Sequence, residues 1–315
     1  MTAGLVLGTM TFGAQADLDT ARAMLDACAE AGITAVDTAN VYAGGASESI
    51  VGQLVKGRRD AFTLATKVGI PGAESGADAP LSPAAIRRCA EASLRRLGTD
   101  YVDLYYLHQP DRGTPVADTL AAVDELVRAG KVLRVGVSNY AAWQLADLDA
   151  CAAASGLVRP AVSQVLYNVV SRRAEQEYAE FAAVHGLSTI AYNPLAGGLL
   201  TGKHAARQAP AGEGRFGASA LGPQYRDRYW NDPMFAAVGA LSEIARAAGL
   251  TLVELAYRWL RAQPLADAVL LGASSLSQLE ANIAAAAGPD LEPDVTAACE
   301  EVWRGLDGPA PAYNR

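Results

Sequence analysis

The sequence predicts an α/β fold: a (β/α)8 TIM barrel with long loops at its C-terminal face and a C-terminal tail. Three observations predict it. Short β-branched or apolar runs alternate with amphipathic helical stretches along almost the whole chain, the pattern of a parallel sheet with crossover helices. The strand-like runs number eight, enough to close a barrel. The 315 residues hold a barrel of about 250 residues with loop insertions and a tail to spare.

In chain order the strand-like runs are LVLGTM (5–10), ITAVDT (33–38), FTLATK (62–67), YVDLYYLH (101–108), LRVGVSN (133–139), AVSQVLYN (161–168), STIAYNP (188–194) and AVLLGAS (268–274). Helical patterns fill the gaps. Ser47, Ser82-Pro83 and Thr114-Pro115 read as helix starts, and Gly32, Gly98 and Gly130 as helix ends. No composition break interrupts the repeat, so residues 1–315 are expected to form one domain without a linker. A chain this long buries about 75% of its unfolded surface and needs no disulfide or metal staple.

Three stretches exceed ordinary loop length: 68–81, about 195–232, and the tail 305–315. Long loops in a compact domain are usually functional or disordered. The second is rich in Gly, Arg and aromatic residues, which favours a lid or cofactor clamp. Two helical patterns, 233–248 and 251–262, follow it before the eighth strand.

Composition narrows the function. With 26 Lys and Arg against 34 Asp and Glu, the net charge is −8, and no basic run builds a nucleic-acid or anionic-membrane surface. Cys28, Cys89, Cys151 and Cys299 lie far apart without metal-ligand spacing and read as buried free thiols in a reducing compartment. The longest run without charge or His, Gly186–Gly202, is too short for a membrane span and holds Asn193, Pro194 and paired glycines. MTAGLVLGTM has no basic leader region, so the expected location is cytoplasmic.

The chemistry of such a barrel lies at the C-terminal ends of its strands. Asp37, Lys67, His108, Ser138, Asn139, Gln164, Asn168 and Asn193 all end strands and open onto one rim. Adjacent strands are about 4.8 Å apart, which sets Lys67 between Asp37 and His108. Tyr42 follows Asp37 in a loop that can fold back over the mouth. An ammonium near a phenol stabilises the phenolate and lowers its pKa, and Asp37 would keep Lys67 charged. Tyr42 is thus expected to act as general acid to a carbonyl oxygen near neutral pH. Neutral His108 would orient that carbonyl, although alone it could equally be a satisfied core histidine. His185 and His204 lack such company and read as surface residues. A Schiff-base lysine, as in a barrel isomerase or aldolase, would need Lys67 neutral and without a carboxylate partner.

With these residues the whole chain resembles an aldo-keto reductase. The motifs are GTMTFG (8–13), DTANVY (37–42), ATK (65–67), LH (107–108) and SN (138–139). SNYAAW (138–143), YNPLAGGLLTGK (192–203), YRDRYW (225–230), SSLSQLEAN (274–282) and the terminal YNR are similar to the aflatoxin-aldehyde and succinic-semialdehyde reductases. The resemblance covers residues 4–315. It implies reduction of an aldehyde by hydride transfer from NADPH, with Tyr42, Lys67, Asp37 and His108 as the reacting centre. It also implies that Asp37, Ser138, Asn139 and Gln164 lie against the nicotinamide and that Tyr192 stacks on its ring. Asn193, Pro194, Leu195, Gly197, Gly198, Leu199 and Lys203 then meet the pyrophosphate and adenosine, as do Arg215, Ser274, Ser275, Gln278 and Asn282.

Paired glycines permit close approach to a phosphate, and the serines precede a helix N-terminus that attracts anions. Gln278 stands where many relatives carry an Arg for the 2′-phosphate of NADP; Arg215 is the candidate to replace it. The 68–81 loop lacks the Trp that some relatives set against substrate. The resemblance places substrate contacts at Tyr42, His108, Tyr225, Arg228 and Arg315, which suits a carboxylated or dicarbonyl aldehyde such as succinic semialdehyde; on sequence alone these arginines read as solvated charges. The expected partner is thus a small aldehyde, with a homodimer left open. The alternative is a nucleotide-binding, redox-sensing channel subunit on the same barrel; a first strand starting close to Met1 favours the stand-alone enzyme.

Overall fold

The computed structural model describes residues 3–204, 214–217 and 222–308. Eight parallel strands close in sequence order into a barrel: β1 (Gly4–Gly8), β2 (Ala35–Asp37), β3 (Thr63–Val68), β4 (Val102–Leu107), β5 (Val132–Ser138), β6 (Val162–Leu166), β7 (Ser188–Tyr192) and β8 (Ala268–Leu271). Closure is made by β1 against β8, with Gly4 opposite Ala268 and Leu7 opposite Leu271. Each expected strand is present and, except for β3, ends one to three residues earlier than expected, because the polar residues there leave the ladder to line the mouth.

The helices between them are α1 (Leu18–Glu30), α2 (Ala46–Val55), α3 (Pro83–Leu97), α4 (Val116–Arg128), α5 (Ala142–Ser155) and α6 (Tyr178–His185), followed by α7 (Gly222–Tyr229), α8 (Asp232–Ala247), α9 (Leu252–Arg261), α10 (Leu276–Ala287) and α11 (Pro293–Asp307). Local chemistry starts several of them. Ser82 caps α3, with Pro83 in its first turn, and Thr251 and Glu254 form a reciprocal capping box on α9. Gly98 closes α3 in the left-handed conformation.

Two local expectations need correction. Ser47 is not a cap: it lies inside the first turn of α2, fully buried, and its hydroxyl bonds to Thr9 and Thr38. A tertiary partner outcompeted the local capping role. The 195–232 stretch is more ordered than a loop, since it contains a 3-10 turn at Ala196–Thr201 and the helix α7, whose Tyr225 and Tyr229 are buried.

Side-chain alternation divides the core in two. The larger part lies between the strands and the helices, with Leu64, Tyr105, Val135 and Trp259 among its buried members. A smaller cluster of Ala65, Leu104, Tyr106 and Val162, with Ile190 packed on it, fills the barrel interior. Lys67, His108, Gln164 and Tyr192 each stand two residues beyond one of these on the same face, so the alternation that fills the barrel also aims them into its mouth. Cys28, Cys89 and Cys299 are buried and Cys151 is half-buried, all as free thiols. Among the described residues no single helix is long and apolar enough to cross a membrane; α8 and α9 pass that test only as a pair bent by 93°, and α9 buries Leu255, Tyr257 and Trp259 in the core.

Candidate active site

Lys67 anchors the mouth. It is fully buried, ion-paired and hydrogen-bonded to Asp37, and donates from Nζ to the Thr38 carbonyl at 2.7 Å. Gln164 donates to the other Asp37 oxygen at 2.9 Å, so both carboxylate oxygens are held. Burial works against the Lys67 ammonium, but Asp37 and the Tyr42 oxygen more than offset it, and its pKa lies above the ordinary value. A lysine so held is charged, which removes the condition a Schiff-base isomerase needs.

Tyr42 opens a tight turn, Tyr42–Gly45, whose Ala43, Gly44 and Gly45 all have positive φ. The turn brings its hydroxyl 3.4 Å from Lys67 Nζ and packs its ring edge-on to His108, with centroids 5.9 Å apart. The expected fall in the Tyr42 pKa is not what the structure gives. Burial raises it, Lys67 offsets only part of that rise, and the phenol remains above its ordinary value. His108 is pushed down to about 3 by burial and by Lys67, so it is neutral, as expected, and its buried Nδ1 has no hydrogen-bond partner among the described residues.

Ser138, Asn139, Gln164 and Tyr192 line the next arc. Asn139 adopts φ 62°, donates to the His108 carbonyl at 2.9 Å and accepts from the Tyr192 hydroxyl at 2.7 Å. Asn193, at φ 64°, accepts from Gly197 N at 2.6 Å and donates to Tyr229. Gly197 and Gly198 then take φ 69° and 100°; a Cβ at Gly197 would lie 2.6 Å from the Tyr225 ring. Among the described residues, all four non-glycine positions with positive φ, Ala43, Asn139, Asn193 and Ala196, are in these mouth segments.

The remaining expected contacts are distributed as follows. Pro194 and Leu195 lead into the glycine turn, the Leu199 side chain is buried so that only its backbone can face a ligand, and Lys203 is exposed with its Nζ near Gly198. Ser275 caps α10, Ser274 donates to Gln278 Oε1 from both N and Oγ, and Asn282 donates to the Gly272 carbonyl at 3.1 Å. Arg215 donates to the Tyr225 hydroxyl at 2.7 Å and reaches Met10 Sδ at 3.3 Å. Arg228 is half-buried and interacts with the Tyr192 hydroxyl, while the neighbouring Arg226 donates to the Phe216 and Gly217 carbonyls. Arg315 and Tyr313 lie outside the described residues.

Of the two histidines expected at the surface, each has a partner, and only His204 is partly buried. His185 bonds Asp149 and stacks on Phe181; His204 packs edge-on to Phe216 and Trp230. His185 is exposed, as expected of a surface residue, while His204, next to Lys203, is half-buried. Sequence reasoning missed Thr38, whose carbonyl holds Lys67, and Tyr106, whose ring lies 5.7 Å from Lys67 Nζ. Strand alternation from Lys67 and His108 was the available signal for Tyr106; nothing local marks a backbone carbonyl.

The donor set fits an anionic dinucleotide. It offers amide and hydroxyl groups beside the ion pair, a glycine turn that side chains would fill, the exposed Lys203, and the N-terminus of a helix capped by Ser275. No group of three or more His, Cys, Asp or Glu among the described residues could hold a metal.

A closed barrel whose mouth gathers a buried ion pair, a phenol and a neutral imidazole is an oxidoreductase scaffold suited to carbonyl chemistry. The profile of the Aldo/keto reductase family matches residues 4–304, and the chain belongs to that family. It is 37% identical to aflatoxin B1 aldehyde reductase member 2 of Rattus norvegicus, over 99% of this chain and 88% of the relative. It is 37% identical to aldo-keto reductase family 7 member A3 of Homo sapiens, over 98% and 96%. A rice protein named "Probable voltage-gated potassium channel subunit beta" (Oryza sativa subsp. japonica) is 35% identical over 93% and 90%.

Proposed function

We propose that this protein is an NADPH-dependent aldehyde reductase, acting in the cytoplasm as one domain over residues 1–315, with Tyr42 as general acid. The observation that carries the reading is the Tyr42 hydroxyl 3.4 Å from a buried, Asp37-paired Lys67. The nicotinamide, when bound, supplies the hydride that reaches the carbonyl carbon. Tyr42 gives its proton to the carbonyl oxygen as negative charge grows there, and Lys67 stabilises the phenolate left behind. The burial that raises the Tyr42 pKa keeps the proton in place until the oxygen needs it. His108 orients the carbonyl through a ring nitrogen.

In this reading Asp37, Ser138, Asn139 and Gln164 hold the nicotinamide and Tyr192 stacks on it. The turn from Asn193 through Leu199, with Lys203, takes the pyrophosphate; Arg215, Ser274, Ser275, Gln278 and Asn282 take the adenosine end. Gln278 Oε1 is occupied by Ser274, which leaves Arg215 as the cation for a 2′-phosphate. The favoured substrate is an aldehyde with an acidic group, such as succinic semialdehyde, gripped by Arg228 with Tyr225 and the terminal Arg315.

The test is turnover of an aldehyde panel with NADPH and with NADH, followed by nicotinamide absorbance. Deleting Tyr313–Arg315 should lower kcat/KM for succinic semialdehyde at least about tenfold, roughly 1.4 kcal/mol, and spare a neutral aldehyde of similar length. Equal losses on both substrates would make the tail a packing element. The similarity to the rice channel-subunit protein supports a second reading, a nucleotide-binding regulatory subunit; tight NADPH binding without turnover of any aldehyde would favour it.

A further inference from the structure

Behind the mouth, on the outer side of β3, lies a carboxylate that the proposed chemistry does not use. Glu48 sits in the first turn of α2 and is fully buried. A buried carboxylate is costly unless both oxygens are held. Here both are: Oε1 accepts from Thr66 Oγ1, and Oε2 accepts from Arg96 Nε at 2.7 Å.

Each partner leads to the reacting centre. Thr66 immediately precedes Lys67 on β3, so Glu48 grips the outward face of the strand whose inward face bears the ammonium. Arg96, on α3, lies under the Tyr42 turn: a Cβ added at Gly45 would come within 3.0 Å of its Cδ and Nε. Gly45, at φ 93°, closes the left-handed run that begins directly after Tyr42. A second arm of Arg96 binds Glu74 in the loop after β3. Ser47, the neighbour of Glu48, bonds the Thr38 hydroxyl, and the Thr38 carbonyl receives Lys67 Nζ. Two consecutive buried residues of α2 therefore tie the turn that carries the phenol to the strands that carry its ammonium.

We propose that Glu48 is a positioning residue that keeps the Tyr42 hydroxyl within reach of Lys67, acting through Thr66 on one side and Arg96 beneath Gly45 on the other. This rests on the reading of Tyr42 as proton donor. A merely structural ion pair would affect stability alone, whereas a positioning residue must also move the titration of the phenol. The charged and titratable groups facing that phenol are Lys67 on β3, Asp37 on β2, Tyr106 on β4, His108 after β4 and Arg215 from the 214–217 segment, and Glu48→Gln alters none of them.

The experiment measures kcat against pH for aldehyde reduction at saturating NADPH, the NADPH Kd by fluorescence, and Tm, for wild type, Glu48→Gln, Thr66→Val and Thr66→Ser. Glu48→Gln is expected to lower kcat about tenfold, leave the NADPH Kd within about twofold, and move the alkaline limb to higher pH as the ammonium draws away from the phenol. Thr66→Val should show the same shift in smaller degree, and Thr66→Ser, which keeps the hydroxyl, should restore wild-type behaviour. A wild-type pH limb in Glu48→Gln overturns the proposal, whatever happens to Tm; if that variant does not fold, a wild-type limb in Thr66→Val overturns it equally. Tyr42→Phe is assayed alongside. An active Tyr42→Phe overturns the proton-donor reading and this proposal with it, while an inactive Tyr42→Phe beside a wild-type-like Glu48→Gln overturns only the proposal.

Discussion

Lys67 Nζ stands 3.4 Å from the Tyr42 hydroxyl and 4.9 Å from the centre of its ring. The ammonium therefore reaches the phenol at its oxygen, while the residue as a whole is half-buried. Burial and charge act on the same proton in opposite directions, and burial is the larger effect. Tyr42 keeps its proton through neutral pH, the state the proposed general acid requires.

Replacing Lys67 by Met should lower kcat severely and move the alkaline limb of kcat upward. The sign follows from the role: reduction needs the protonated phenol, activity is lost above its pKa, and removing the ammonium raises that pKa. Asp37→Asn should act in the same direction more mildly, because the Thr38 carbonyl still holds Nζ at 2.7 Å. Profiles of kcat against pH that coincide with wild type in both variants would show that Lys67 does not tune the phenol.

Tyr42→Phe should abolish reduction while NADPH binding survives, since the hydroxyl's only hydrogen-bond partner among the described side chains is Lys67. A general acid contributes about 10²–10⁴ in rate. Single-turnover rates and a fluorescence titration of NADPH check the two halves; retained turnover would move the donor elsewhere.

His108 makes folding pH-dependent. Its pKa is about 3 when folded against an ordinary 6.5, so as pH falls below 6.5 the unfolded chain takes up a proton that the folded protein refuses. Stability is thus lost from pH 6.5 downward, at up to about 1.4 kcal/mol per pH unit for this one group. Denaturant unfolding of wild type and His108→Gln at pH 7 and pH 5 should show a smaller drop in the variant. An equal drop in both would place the acid sensitivity in other groups.

Arg215→Ala should weaken NADPH far more than NADH, because only NADPH offers a 2′-phosphate to a guanidinium. In the structure the guanidinium meets Tyr225 and Met10, and Met10 adjoins Thr11, which donates to the Ala273 carbonyl beside Ser274. Paired Kd measurements decide it: equal changes for both nucleotides would make Arg215 a lid contact only.

The sequence by itself determined the barrel and most of its rim. Strand alternation and the rule that barrel chemistry sits at strand C-termini placed Asp37, Lys67, His108, Ser138 and Gln164 together, because both are local or topological regularities. Other features became visible only in the tertiary structure: the helix α7 within the 195–232 stretch, the internal role of Ser47, the raised pKa of Tyr42, and the burial of Glu48. Glu48 meets Thr66 across 18 positions and Arg96 across 48, and the Tyr42 pKa depends on how completely β2, β3 and β4 exclude water. Such contacts follow from closing the barrel, and local periodicity carries no information about which distant side chains closure brings together.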